Sequence, residues 1–258
     1  MRVKEAIAAL EQFAPLPLQD GYDNAGLQVG VTEAEVSGVL LCLDVTESVL
    51  EEAVGKGCNL VVAHHPLVFH PLSVVGDATY VERCVRFAIK HDLTIYAAHT
   101  NLDNAIGGVS HEMANRLGLV EISGLRPSTN GGASGVVGVL ETPMPAKDFV
   151  NKVKTVFGVK YAMCNALLDR LIRKVALCGG AGDFLLQDAV DAGADAFITG
   201  EMHYHRYFGQ ENIIQIITIG HYESERYTIN LLQRILQESF PNLNVAMTSI
   251  NTNPIVIV

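Results

Sequence analysis

Strand-length apolar runs recur along this chain, each closed by a polar or glycine-containing stretch. The runs at 36–43, 59–63 and 93–98 alternate with segments whose apolar positions lie three and four apart. That change of period predicts strand, helix, strand, helix, strand, helix. A helix over 3–13 comes first, with Val3, Ile7 and Leu10 on one face and Pro15 and Pro17 beyond its end. Residues 21–26 are loop chemistry. Thr46 suits the N-cap of a helix reaching about Lys56, and Gly57 stops it. Helical spacing returns at 80–90 and 109–117.

Residues 122–134 shift towards Gly, Ser, Pro and Asn and mark the best place for a linker. Beyond it, strands are expected at 135–140, 161–166, 173–178, 194–199, 213–219 and 245–248. Helices are expected at 145–157, 183–192 and 224–238. The reading is an α/β fold of two similar units, 1–124 and 125–258, in three layers around mixed, largely parallel sheets.

The halves echo one another. Ala53-Val54-x-x-Gly57-x-Asn59-Leu60-Val61-Val62 matches Ala189-Val190-x-x-Gly193-x-Asp195-Ala196-Phe197-Ile198. His64-His65 then corresponds to Gly200-Glu201. Ile95–Ala98 followed by His99-x-x-x-Asp103 is set against 217–220 followed by His221-x-x-x-Glu225. A duplication of this kind would turn both sets of strand ends towards a shared crevice.

Those strand ends carry the chemistry: His64, His65, His99, Asp103, Glu201, His203, His205, His221 and Glu225. Imidazole and carboxylate are ligands for Zn, Fe or Mn. Three histidines and two carboxylates suffice for two ions sharing a water whose pKa falls to about 7. Each feature alone has a plainer reading. A histidine at a strand end is commonly structural, and H-x-x-x-E at a helix start is commonly a capped, solvated face. His70, His91 and His111 are given that structural reading.

Composition narrows the classes. A net charge of −10 opposes general nucleic-acid binding, which needs a basic footprint. The apolar runs are too short to span a membrane, and Met1-Arg2-Val3-Lys4-Glu5 lacks the apolar core of a signal peptide, so a cytoplasmic location is expected. The five cysteines form no C-x-x-C pair, which suits buried thiols in a reducing compartment.

Five motifs resemble the Nif-three-like family, also labelled GTP cyclohydrolase type 2 homologue. They are Tyr22-Asp23-Asn24-x-Gly26-Leu27-x-Val29-Gly30, Ala63-His64-His65-Pro66-Leu67, His99-Thr100-Asn101-Leu102-Asp103, Thr199-Gly200-Glu201-Met202-His203-Tyr204-His205 and Gly220-His221-x-x-Ser224-Glu225. They run in order over nearly the whole chain. Tyr22 stands where the family usually carries tryptophan, and the extra central domain of longer members is missing.

The resemblance implies a dinuclear centre of two divalent ions (Zn, Fe or Mn) held by His64, His65, Asp103, His221 and Glu225. Asp103 and Glu225 are the carboxylates expected to bridge, and His99 has an auxiliary role. It also implies intertwined units and a ring-shaped homohexamer with sites facing an internal cavity. The expected activity is metal-dependent hydrolysis of a small molecule, a nucleotide or related heterocycle, through a metal-bridging hydroxide. Glu201 and His203 are the acid–base candidates. The alternative is a non-catalytic metal- or ligand-binding protein or metallochaperone. No G-x-x-x-x-G-K-[ST] phosphate loop occurs in the chain.

Overall fold

The structure is a computed structural model that describes residues 1–257. It divides into two compact units, Met1–Leu102 with the chain from Thr228 onward, and Asp103–Tyr227. The first unit contains α1 (Val3–Phe13), β1 (Gly26–Val29), β2 (Val39–Cys42), α2 (Glu47–Gly55), β3 (Leu60–Ala63), α3 (Tyr80–Lys90) and β4 (Thr94–Ala97). The division falls within α4 (Thr100–Asn104).

The second unit follows with α5 (Val109–Leu117), β5 (Leu119–Pro127), β6 (Ala133–Pro145), α6 (Ala146–Phe157), β7 (Met163–Cys164) and β8 (Leu171–Cys178). Then come α7 (Leu186–Asp191), β9 (Ala196–Thr199), β10 (Gln215–Thr218) and α8 (His221–Glu225). Finally α9 (Thr228–Ser239) and β11 (Val245–Met247) belong to the first unit.

The first sheet has the order β1-β4-β3-β2-β11. Its strands β4, β3, β2 and β11 run parallel, and β1 is antiparallel to β4. Every residue of β2, β3 and β4 is buried, as a sheet covered on both faces requires. Alternate side chains serve the two faces. Leu40, Cys42, Val61, Ala63 and Ile95 pack with Val49, Leu50 and Ala53 of α2 and Cys84, Val85 and Ala88 of α3. Tyr96 points the other way, its hydroxyl 3.3 Å from Glu11 of α1, and α1 packs with α9 on that side. Thr46 caps α2 by accepting from Val49 N at 3.3 Å, and Thr79 caps α3 in the same way through Glu82 N.

The second sheet has the order β5-β6-β8-β9-β10-β7. β8, β9 and β10 are parallel, with β7 antiparallel on the β10 side and the β5–β6 hairpin antiparallel on the β8 side. One face is covered by α5 and α6, where Met113, Leu117, Phe149, Val153 and Phe157 meet Val175, Leu177, Ile198 and Ile217. The other is covered around α7, where Leu186 and Ala189 meet Ala176, Phe197 and Ile216. Both units are therefore three-layered α/β structures with mixed sheets.

The division differs from the expected 1–124 and 125–258. The Gly/Ser/Asn stretch at 122–134 is a hairpin, with Ser128 N donating to Gly132 O at 2.8 Å, so it folds within a sheet rather than joining two units. Turn residues supply hairpins and linkers alike, and composition does not separate them. The last strand pairs with β2, at Val245↔Val39 through Met247↔Leu41, which returns the end of the chain to the first unit. β1 begins at the last residue of the expected loop 21–26 and runs over residues to which no element was assigned, and the expected helix 224–238 is two helices, α8 and α9.

The two sheets share the sub-order β1-β4-β3-β2 and β7-β10-β9-β8, which agrees with a duplication. Their registers correct its alignment. Ala63 lies opposite Cys42 and Ala97, and Thr199 lies opposite Cys178 and Thr218. His99 is therefore equivalent to Gly220, and His221 to Thr100, the first residues of α8 and α4. The expected pairing of His99 with His221 is one residue out, because two apolar strands can be slid past each other without any mismatch of type.

Candidate metal-binding residues

Parallel strands end at a common edge, so β2, β3 and β4 deliver their following residues to one place. There the first unit gathers His64, His65 and His99. Their ring centroids are 4.8 Å apart for His64–His65, 5.3 Å for His64–His99 and 5.5 Å for His65–His99. One nitrogen from each lies within 4.8 Å of the others.

Each ring is fixed through Nδ1 by a group that can only accept. His64 Nδ1 meets Ala98 O at 2.7 Å, His65 Nδ1 meets Asp44 Oδ1 at 2.7 Å, and His99 Nδ1 meets Asp23 Oδ1 at 2.7 Å. An acceptor opposite Nδ1 requires a hydrogen there. In the neutral ring Nε2 then carries the lone pair, the form in which imidazole binds a metal.

The supporting carboxylates are anchored in turn. Asp23 Oδ2 accepts from Thr100 N at 3.0 Å and from the Thr100 hydroxyl. Burial would raise the Asp23 pKa, but the bonds from His99 and Thr100 outweigh it and hold the carboxyl at about 2. Asp44 is likewise lowered: burial opposes the shift, and His65 and Thr252 overcome it. Asn101 locks the turn after β4. Its Oδ1 accepts from His99 N at 2.9 Å, and its Nδ2 donates to Ala14 O at 2.7 Å.

In the second unit α8 begins immediately after Gly220, whose φ of +100° suits glycine. His221 Nδ1 lies 2.8 Å from Glu201 Oε1, and its Nε2 lies 3.1 Å from Glu225 Oε2 one helical turn on. Glu225 is buried. Glu201, expected as an acid–base group, is thus the carboxylate that fixes the His221 ring.

His203 is held differently. Its Nδ1 is 2.5 Å from Asp183 Oδ2, which also takes Arg206 Nε at 3.1 Å. The His203 side chain is 87% exposed while that of Asp183 is 11% exposed, so a buried carboxylate aims an open imidazole at solvent. His205 is exposed and packs its ring against Tyr204 and Phe208. Asp103 lies on α4, one turn beyond His99.

Asp23, Asp44 and Asp183 were not singled out by sequence reasoning. Asp23 stands inside the first motif, and Asp44 ends β2, but a carboxylate after a strand carries no sign of the imidazole it will meet. The donors themselves are borderline nitrogen and hard oxygen, which fits Zn, Fe or Mn. The cysteines are unsuited to compete. Cys42, Cys58, Cys84 and Cys178 are buried, and burial pushes the Cys84 and Cys164 thiols up to about 11. Among the described residues no helix is long and apolar enough to cross a membrane.

Comparison with known proteins identifies the family of the chain. The profile of Duf34/NIF3 (NGG1p interacting factor 3) matches residues 1–254. A Clostridium perfringens protein named GTP cyclohydrolase 1 type 2 homolog is 35% identical over 228 residues, covering 87% of each chain. A Clostridium acetobutylicum protein of the same name is 30% identical over 250 residues, 95% of this chain and 93% of that one. The crystal structure of a Bacillus cereus protein related to NIF3 superposes with a TM-score of 0.91 at 25% identity, covering 100% of this chain and 99% of that chain.

Proposed function

The chain belongs to the Duf34/NIF3 family, and from that premise we propose that it binds two divalent ions through His64, His65, Asp103, His221 and Glu225. We further propose that it hydrolyses a nucleotide or related heterocycle. The observation that carries the metal reading is the shared tautomer of three neighbouring imidazoles. His64, His65 and His99 each present Nε2 as the lone-pair nitrogen because an acceptor holds Nδ1.

When bound, such ions would supply an activated water and would polarise the group it attacks. The remaining roles belong to the chain. Asp44 and Glu201 fix the His65 and His221 rings, so neither ring must reorganise as charge develops. His99, held by Asp23, stands beside His64 and His65 as an auxiliary imidazole. His203 is the proton carrier: Asp183 retains the Nδ1 hydrogen, and exposed Nε2 exchanges a proton with a leaving group. The substrate class rests on the name carried by the Clostridium relatives.

Metal analysis of protein purified without chelator, alongside His64→Ala, tests the binding reading. The wild type should carry two equivalents of Zn, Fe or Mn, and the variant should lose at least one. Loaded protein assayed with GTP for release of formate tests turnover. Metal-replete protein that yields no product would count heavily against GTP hydrolysis and favour the alternative, a non-catalytic metal- or ligand-binding protein or metallochaperone. A homohexamer is proposed with it, and light scattering of the full chain would show a single species of that mass.

A further inference from the structure

The end of the chain reaches the ligand-bearing edge of the first unit. β11 runs parallel to β2, so the chain leaving β11 emerges where β2 delivers Asp44 and β3 delivers His64 and His65. Thr248 N continues the pairing by donating to Leu41 O at 2.9 Å. Glu52 of α2 then clamps the segment. It accepts from the Thr248 hydroxyl, from Ser249 N at 2.9 Å and from Ser249 Oγ at 2.7 Å. Ile250 packs onto the core beneath α2 and α3.

Two residues further on, Thr252 Oγ1 donates to Asp44 Oδ2 at 2.6 Å, while Asp44 Oδ1 holds His65 Nδ1 at 2.7 Å. Each oxygen of this carboxylate therefore has its own partner. The bond to Oδ2 stops the carboxylate turning about its terminal torsion, and so fixes the direction in which Oδ1 receives the imidazole hydrogen. We propose that Thr252 is a positioning residue for His65, acting through Asp44, and that docking of the C-terminal segment sets the affinity of the ion His65 holds. The proposal rests on the reading of His65 as a metal ligand.

The test uses the full chain stripped of metal and titrated with Zn²⁺ against a competing chelator. Wild type is compared with His65→Ala, Thr252→Val, Thr252→Ala and Thr252→Ser, and the metal-free melting midpoint is recorded for each. Loss of a group that directly supports a ligand costs 10–100-fold in affinity, so one step further out a loss of about threefold to tenfold is expected for Val and Ala. Serine keeps the hydroxyl and should return affinity to within about twofold of wild type. Alanine adds no bulk and gives the same comparison should valine disturb the segment. The visible spectrum of the Co²⁺-loaded protein should change for Val and Ala and stay near wild type for Ser.

Wild-type affinity in both Val and Ala overturns the proposal, as does an equal loss in Ser, which would reduce Thr252 to a packing role. In those two cases His65→Ala still weakens binding. Should His65→Ala bind as tightly as wild type, the metal reading itself fails and this proposal falls with it.

Discussion

The two sheet edges carry different residues at equivalent positions. Registers make Asp44 equivalent to Gly180, His64 to Gly200 and His65 to Glu201. The first unit fills these positions with imidazoles and a supporting carboxylate. The second empties two of them. A Cβ on Gly180 would lie 2.3 Å from Glu225 Oε1 and 3.2 Å from His221 Nε2. On Gly200 it would lie 2.6 Å from Gly180 O and 2.8 Å from His221 Cα. The glycines make room for donors arriving from α8, so the second unit brings in His221 and Glu225 from the following helix. Two sheets of the same strand sub-order can thus differ in which strand end supplies the candidate donors while keeping them at the equivalent edge.

The comparison breaks most directly at Gly180. Its φ is +58°, and a methyl group there meets Glu225, so Gly180→Ala should cost about 3 kcal/mol from strain and overpacking combined. Urea unfolding of the metal-free protein measures this, and an unchanged midpoint would deny the spatial role given to the glycine. Next in size are the carboxylates that hold the rings. Asp44→Asn in one unit and Glu201→Gln in the other should each weaken metal binding about 10–100-fold. Competition with a chelator reads both, and a silent Glu201→Gln would show that the edges are not supported alike.

Asp23 sharpens the contrast through pH. Its folded pKa is lowered from 3.8 to about 2, so it contributes stability that is present above its unfolded value and lost as pH falls through about 2. The shift corresponds to about 2 kcal/mol. Wild type should therefore lose about that much more stability than Asp23→Asn between pH 5 and pH 2. Parallel unfolding curves across that range would remove Asp23 from the account. The smallest effect concerns helix entry. α2 is capped by Thr46, whereas α7 starts without a side-chain cap, so Thr46→Ala should cost about 1 kcal/mol by thermal unfolding.

Much of this was legible along the chain. Apolar runs closing on His64-His65 and His99 marked strand ends, because buried parallel strands are dominated by apolar residues and clusters of ionisable groups fall beyond them. Thr46, Gly57 and Pro145 marked helix boundaries for equally local reasons. The imidazole and carboxylate types named the chemistry. The supports were not legible: Asp23 and His99 are far apart in sequence, as are Asp44 and Thr252, and nothing near either residue names its partner.

Neighbouring residues were enough to place most of the strands and helices and to name the side chains able to bind a metal, since local sterics, hydrophobic period and donor chemistry are properties of short stretches of chain. Tertiary structure alone decided that 122–134 is a hairpin, that β11 joins the first sheet, and that the repeat aligns His221 with Thr100. It also decided which nitrogen of His64, His65 and His99 bears the hydrogen. Those outcomes depend on strand register and on acceptors contributed from elsewhere in the chain, and both are fixed only when the sheets close and bring them together.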